Sequence, residues 1–391
     1  MAHQTDEMNT KKIEAKGVIN AIGTVTTLGG NVISEEVLSS IKDVSQKFVN
    51  MGQLVQIAGD WIARRLGCES AYITNGASGA IVLSVAACLV MKDPLLKYKL
   101  PKIDGKIKYV LTLRNQISEF KYLITLSGAK IKELGTYKGL SLGDFEKAVR
   151  KWAGRSAAIY YLALDPLPNN LRIEEVVRIG HSYGLPIIVD ASAEVPPKEN
   201  FTKFLKAGAD IVIFSGGKAI GSFSDTGIMI GRSDIINIAR ELGPYNEELV
   251  DSKIKVFIGR AFKVSKEGII ATVVALDQFL DMDETSFLNK MNEKCNNILR
   301  KISENQFIDA KIISPPWYFP RPTIIPRVEV KFKGGIDLNE VLNRLKNHDP
   351  PIYCYTDKGK LYINPQCLKD REEDIITQEI LNIITEKHKD D

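Results

Sequence analysis

The sequence is poor in the residues that announce metal or disulfide chemistry. Its four histidines are scattered, and its five cysteines (Cys68, Cys88, Cys295, Cys354 and Cys367) form an odd set with no CxxC pair and no neighbouring histidine. That spacing argues against a zinc site and a disulfide framework, and a reducing cytoplasm is the simplest compartment. Cys68 and Cys88 sit in helical apolar patterns and read as core. His181, in RIGHSYG, reads as a helix-end surface residue, and His3, His348 and His388 fall in terminal or loop contexts, so none is given a role. No uncharged apolar run reaches the roughly 18–20 residues that span a bilayer, and the opening MAHQTDEMNTKK has no apolar signal segment. A soluble cytosolic protein is expected.

A bias toward one charge is missing too. The 52 basic residues nearly balance the 48 acidic ones, and the two signs alternate, which is too weak and dispersed a field to argue for nucleic acid. The modest lysine cluster between Lys92 and Lys108 reads as a solvated loop rather than a tRNA patch.

What is present is a globular chain with 44% hydrophobic and 26% charged residues, which leaves little room for disorder beyond the ends. At 391 residues it exceeds the usual ~100–200 per domain, so two or three structural units are expected. From Tyr72 to Ile230, seven strand-like runs alternate with amphipathic stretches: AYIT, KYVLTL, AKIKEL, SAAIYYLAL, LPIIVDAS, DIVIFS and TGIMIG. Helices are expected from Ser78, near Glu119, and over 142–152, 173–183 and 201–207. This is the pattern of an α/β domain with a mostly parallel sheet covered on both faces.

After Ile230 the texture reads as helical to about Arg300. It then reads as strand (IIPRVEVKF), helix (337–346), two strands (PPIYCYT and GKLYINP) and a terminal helix from Arg371, a small α+β unit. The expected division is 1–50 as an N-terminal segment packed on the small domain or a dimer partner, 51–285 as the large domain, and 286–391 as the small one. The boundary is expected within the helical region between Val264 and Gln306. No internal repeats are found.

Ligands of such sheets bind beyond the carboxyl ends of the strands, and three pieces fall there in order. TNGASGA (74–80) is a strand followed by small residues that open a helix, a setting whose N–H groups and dipole suit phosphate; taken singly it also reads as an ordinary small-residue turn. IIVDASAE ends an apolar strand on Asp190, a carboxylate that needs a cation such as a protonated pyridinium, or else caps the following loop. DIVIFSGGKAIG sets Lys218 three residues past a strand end, among Ser215, Gly216, Gly217 and Gly221. Burial there lowers an amine's pKa and readies it to form an imine. A phosphate-binding P-loop is excluded, because Val212 stands five before Gly217 and Ala219 follows the lysine. The ordered set of phosphate turn, Asp190 and Lys218 points to pyridoxal 5'-phosphate.

These stretches, with VINAIGTVTTLGG, CESAYITNGASGAIVLSVAACL and IGRAFKVSKEGI, resemble the fold type I pyridoxal-phosphate enzymes over about residues 17–368. The resemblance is to the subgroup of selenocysteine synthase and D-glucosaminate-6-phosphate ammonia-lyase. VINAIGT, DASAE with its two prolines, and GRAFKVSKE are closer to the ammonia-lyase branch. The resemblance implies Lys218 as the imine lysine, Asp190 as the pyridinium partner and Ser192 against the ring. Gly76, Ala77, Ser78 and Ser215 become phosphate donors. Asn115 and Gln116 stand where the family places a residue on the other ring face, and no aromatic is there. Arg260 and Lys263 are candidate substrate-anion residues, also readable as surface charges on a loop. Tyr355 stands where selenocysteine synthase has an arginine, for which Arg321 or Arg327 could compensate.

The implied reaction is a lyase reaction on an amino acid or amino sugar acid: α-proton abstraction, β-elimination, and release of a 2-keto acid and ammonia. A homodimer or larger homo-oligomer is implied as well. A tRNA substrate is not expected, because only about 17 residues precede the shared region. The alternatives are a selenocysteine-synthase-like transferase, a racemase, elimination from a sulfur amino acid, or a cofactor-binding protein with little turnover.

Overall fold

The computed structural model describes residues 15–116, 119–164, 167–250, 252–316 and 318–387. Among these, the elements run β1 (Ile19–Ala21), α1 (Glu35–Ser45), α2 (Met51–Leu66), β2 (Ser70–Asn75), α3 (Gly76–Lys92), β3 (Tyr109–Leu113), α4 (Tyr122–Leu126), β4 (Lys130–Leu134), α5 (Leu142–Trp152) and β5 (Ser156–Leu162). They continue with α6 (Ile173–Ser182), β6 (Ile187–Asp190), α7 (Asn200–Lys206), β7 (Ile211–Ser215), β8 (Thr226–Gly231), α8 (Ser233–Glu241), β9 (Glu247–Val250), β10 (Lys253–Val256), α9 (Lys266–Asp281) and α10 (Glu284–Ile302). The last elements are β11 (Ile308–Ile313), β12 (Arg327–Phe332), α11 (Leu338–Asn347), β13 (Ile352–Asp357), β14 (Lys360–Ile363) and α12 (Glu372–Lys387).

The chain divides into two units, one of residues 24–287 and 315–324, the other of 1–23, 288–314 and 325–391. Residues 24–50, expected beside the small unit or a partner, cluster with the large one. The division falls inside α10, and 315–324 returns to the large unit.

The large unit is the α/β domain read from the sequence. All seven strand-like runs enter one sheet in the order β2-β8-β7-β6-β5-β3-β4. Only β8 runs against its neighbours, so β2 has the direction of β7, β6, β5, β3 and β4. Strands β6, β7 and β8 are buried throughout, which is why parallel strands covered on both faces appear as unbroken apolar runs. Helix starts follow side-chain caps: Ser34, Asn50, Ser141 and Ser265 each accept the backbone N–H of the residue three positions on. The helix expected near Glu119 is a short 3-10 turn followed by α4.

The small unit is a five-stranded sheet in the order β1-β13-β14-β12-β11, with a core that includes Ile298, Val330, Leu345 and Ile380. The first C-terminal strand read from sequence, IIPRVEVKF, is β12, and β11 precedes it. The stretch after Ile230 is not helical throughout: the hairpin β9–β10 interrupts it.

Candidate active site

Because β2, β5, β6 and β7 point one way, Asn75, Leu162, Asp190 and Ser215 end on a common edge of the sheet. The three pieces found in the sequence therefore meet in space.

Asp190 is 5% exposed at the end of an entirely apolar strand, so its carboxylate must be satisfied internally. Tyr160 donates its hydroxyl to Oδ2 at 2.6 Å and the Ser192 N–H donates to Oδ1 at 3.0 Å. Burial, then the charge and hydrogen bond of Asp190, hold the Tyr160 phenol well above its ordinary range, so it stays a donor. Tyr160, in the run SAAIYYLAL, was not anticipated.

Lys218 is half-buried in the turn that follows β7. Burial pushes its pKa below the ordinary value, against the pull of the Asp190 and Glu194 carboxylates. The turn is pinned from several sides. Ser222 N–H donates to Gly216 O at 2.9 Å and Gly216 N–H to Thr226 O at 2.8 Å. Asn31 spans the turn, its Nδ2 donating to Lys218 O and to Ser222 O, both at 3.0 Å. Glycine is required here by close approach: a Cβ on Gly30 would lie 2.4 Å from Gly217 O, and one on Gly217 would lie 2.2 Å from Ser224 Cα. No helix opens after Lys218, as the exclusion of a P-loop requires.

The phosphate turn is the start of α3, which begins at Gly76 rather than Ser78. Gly76 has φ +63°, and Asn75 does not cap the helix with its side chain. The first-turn N–H groups of a helix lack intrahelical partners, which suits a phosphate. Asn75 Nδ2 instead donates to Lys263 O at 3.3 Å. Lys263 is thereby brought to this turn through its main chain, with its side chain exposed, while Arg260 is exposed and donates Nη1 to Pro244 O at 3.0 Å. Ser215 and Ser192 are adjacent, the Ser215 N–H donating to Ser192 O at 3.3 Å.

Asn115 and Gln116 differ in kind. Gln116 is 1% exposed and spends its amide on the framework: Oε1 accepts from Leu162 N–H at 3.0 Å and Nε2 donates to Asn170 at 2.9 Å. It is a strut between β3 and β5, not a side chain at liberty to face a ring. Asn115 Nδ2 is buried without a hydrogen-bond partner, as is Asn31 Oδ1.

Glu194, four residues past Asp190, was quoted in a motif but given no role. It is 7% exposed and takes both Nε (2.7 Å to Oε1) and Nη2 of Arg321. Burial pushes its carboxyl pKa up and the guanidinium pulls it down, with burial the larger. Arg321 thus belongs to the large unit, paired with this carboxylate. Arg327 and Tyr355 lie in the small unit, where Arg327 donates Nη1 to Ile325 O at 2.7 Å and burial lowers its pKa to about 10.

His181 binds the buried Asp210 through Nε2 at 2.8 Å, and His348 Nδ1 lies 2.9 Å from Pro350 O. His3 and His388 lie outside the described residues. All five cysteines are free thiols; Cys88 is buried in α3, and Cys68 is half-buried beyond the end of α2. Among the described residues no cluster could hold a metal, and no helix is long and apolar enough to cross a membrane.

A carboxylate at a strand end, a half-buried amine held at an adjacent one, a helix start with open N–H groups, and two unpartnered buried amide atoms fit one aromatic, phosphorylated carbonyl cofactor. The comparisons with known proteins agree. D-glucosaminate-6-phosphate ammonia lyase of Salmonella typhimurium is 29% identical over 277 residues, 69% of each chain. The 5'-C-glycyluridine monooxygenase-decarboxylase of a Streptomyces species is 27% identical over 375 residues, 92% of this chain and 88% of the other. A solved structure of D-glucosaminate-6-phosphate ammonia-lyase superposes with TM-score 0.78 and 26% identity, covering 94% and 96% of the two chains. The family described as SelA, L-seryl-tRNA selenium transferase, matches residues 18–369. That match spans both units and every strand end described above, so the chain belongs to the L-seryl-tRNA selenium transferase family and is a pyridoxal-phosphate-dependent lyase or transferase of fold type I.

Proposed function

We propose that the protein is an ammonia-lyase acting on an amino sugar acid, which removes the α-proton and the β-hydroxyl and releases a 2-keto acid and ammonia. The observation that carries this reading is the likeness in sequence and structure to D-glucosaminate-6-phosphate ammonia-lyase, extending over the loops that bear Asp190, Glu194 and Lys218.

Lys218 Nζ is assigned two tasks. Its burial weakens its hold on a proton, so more neutral amine is present near neutral pH than a solvated lysine provides, which suits covalent attachment of the cofactor. Released by the incoming substrate amine, the same Nζ takes the proton from Cα. Pyridoxal phosphate, when bound, supplies the electron sink for the carbanion at Cα. Asp190, fixed by Tyr160 and the Ser192 N–H, supplies the charge that keeps the ring nitrogen protonated. The start of α3 with Gly76, Ala77 and Ser78, and Ser215 beside it, is assigned to the phosphate. Ser192 and Asn115 are assigned to the ring, and Arg260 and Lys263 to substrate anions. The proton taken up by Lys218 Nζ would pass to the Cβ hydroxyl, which leaves as water, and hydrolysis of the enamine then gives the 2-keto acid and ammonia.

The chain is also proposed to act as a homo-oligomer in the cytoplasm. Val32, Phe48 and Ile57, near the start of the large unit, expose 77%, 107% and 64% of their surface, large apolar side chains of the kind a second copy would cover. Native mass spectrometry would show dimers or larger species; a monomer would remove this element.

The test of the reaction is ammonia and 2-keto acid release from D-glucosaminate 6-phosphate, D-glucosaminate and D- and L-serine, with seryl-tRNA as the substrate that the transferase reading predicts. Equal amounts of ammonia and keto acid support the reading. Consumption of seryl-tRNA alone sinks it.

A further inference from the structure

The Glu194–Arg321 pair has a cost that the fold alone does not explain. Both side chains are nearly sealed, at 9% and 10% exposed, and a buried ion pair is commonly no more stabilising than apolar residues of the same volume. The pair forms part of the wall of a cavity of about 260 Å³ within the large unit, lined also by Ala163, Asn200, Lys203 and Phe204. The cavity adjoins the reactive edge of the sheet: the Ala163 N–H donates to Asp190 O at 2.9 Å, and the Glu194 N–H donates to Ala191 O at 3.0 Å. Asn200 fixes the Glu194 main chain, donating Nδ2 to its carbonyl at 2.6 Å.

We propose that this cavity is the subsite for the hydroxylated chain of the substrate, with Glu194 and Arg321 reading hydroxyl groups and Lys203 meeting a terminal anion. The proposal rests on the ammonia-lyase reading and adds to it the residues that select the chain. A carboxylate has about four acceptor positions, so Glu194 retains capacity for O–H donors beyond the two bonds it takes from Arg321. Phe204 and Ala163 offer apolar surface to the C–H faces of such a chain. Lys203 is exposed, so the cavity ends on a solvated cation suited to a phosphate. The volume admits a chain of several carbons.

The test uses D-gluconate 6-phosphate, which carries the hydroxyls and the phosphate but no amine and is therefore not consumed. Its affinity for the holoenzyme is measured by calorimetry in the wild type, in the double variant Glu194→Leu/Arg321→Met, which replaces the pair by apolar residues of similar size, and in Lys203→Met. The expected result is binding weakened by about tenfold or more in the double variant, the scale of a lost hydrogen bond to a charged group. In Lys203→Met, which leaves the core untouched, the preference for D-gluconate 6-phosphate over D-gluconate is expected to fall by a similar factor. No binding by the wild type, an unchanged affinity in the folded double variant, or an unchanged phosphate preference in Lys203→Met overturns the assignment. Because the probe itself has no amine to lose, a wild type that binds it yet releases no ammonia from D-glucosaminate 6-phosphate overturns the proposed reaction and leaves the subsite standing.

Discussion

The hydroxyl of Tyr160 donates to Asp190 Oδ2 at 2.6 Å, from the neighbouring strand of the sheet. A neutral donor held against the carboxylate fixes its orientation without cancelling its charge. Tyr160→Phe removes a hydrogen bond to a charged group, a loss of about 1.5–3 kcal/mol. The expected outcome is a folded protein that binds pyridoxal phosphate roughly ten- to a hundredfold more weakly, measured by titrating the apo-protein and following cofactor absorbance. Unchanged affinity would show that Asp190 needs no such support.

Asn31 ties the turn of Lys218 by two donations from one amide. Asn31→Asp keeps the volume and replaces the donor by an acceptor facing two carbonyl oxygens. We expect a slower formation of the lysine–cofactor bond, by about tenfold or more, read by stopped-flow absorbance on mixing apo-protein with pyridoxal phosphate. Wild-type rates would remove Asn31 from the account.

Gly227 lies against the phosphate turn: an added Cβ would stand 2.3 Å from Gly76 C and 2.6 Å from Ala77 N. Gly227→Ala must displace backbone, and overpacking of this kind costs about 1–3 kcal/mol. The prediction is weakened retention of pyridoxal phosphate on dialysis, with phosphate-free pyridoxal less affected. Equal loss of both would mean that the turn does not hold the phosphate.

The frame of this site was legible because its parts differ chemically from their surroundings. Buried parallel strands read as apolar runs, so Asp190 stood out as a charge at the end of one and Lys218 as a charge among glycines. Tyr160 did not stand out, since a tyrosine in SAAIYYLAL reads as core; only the pairing of β5 with β6 reveals what its hydroxyl reaches. The bonds of Asn31 and Arg321 were hidden by distance, the two lying 187 and 127 residues from Lys218 and Glu194, their respective partners. Strand β1 has three residues, too few to show an alternating pattern, and it exists through its parallel pairing with β13. Gln116 was placed beside the cofactor by resemblance, whereas its amide is committed to Leu162 and Asn170.

The depressed pKa of Lys218 has a stability consequence with a definite sign. Its folded value lies below the ordinary 10.5 because burial disfavours the charged form. At pH below the folded value the lysine is protonated in both states and the folded apo-protein carries the cost. As pH rises from the folded value toward 10.5, the unfolded chain binds more protons and the apo-protein gains stability. Apo Lys218→Met should therefore melt higher than apo wild type at low and neutral pH, with the gap closing as pH rises through that window. A gap that widens with pH would contradict the assigned environment.

The central claim is that Lys218 carries the cofactor. Holoenzyme is reduced with borohydride, digested and mapped by mass spectrometry, in parallel with Lys218→Ala. The predicted result is a phosphopyridoxyl group on the peptide containing Lys218 in the wild type and its absence from the folded variant. A cofactor fixed to another lysine in the wild type, or retained covalently by Lys218→Ala, would contradict the account.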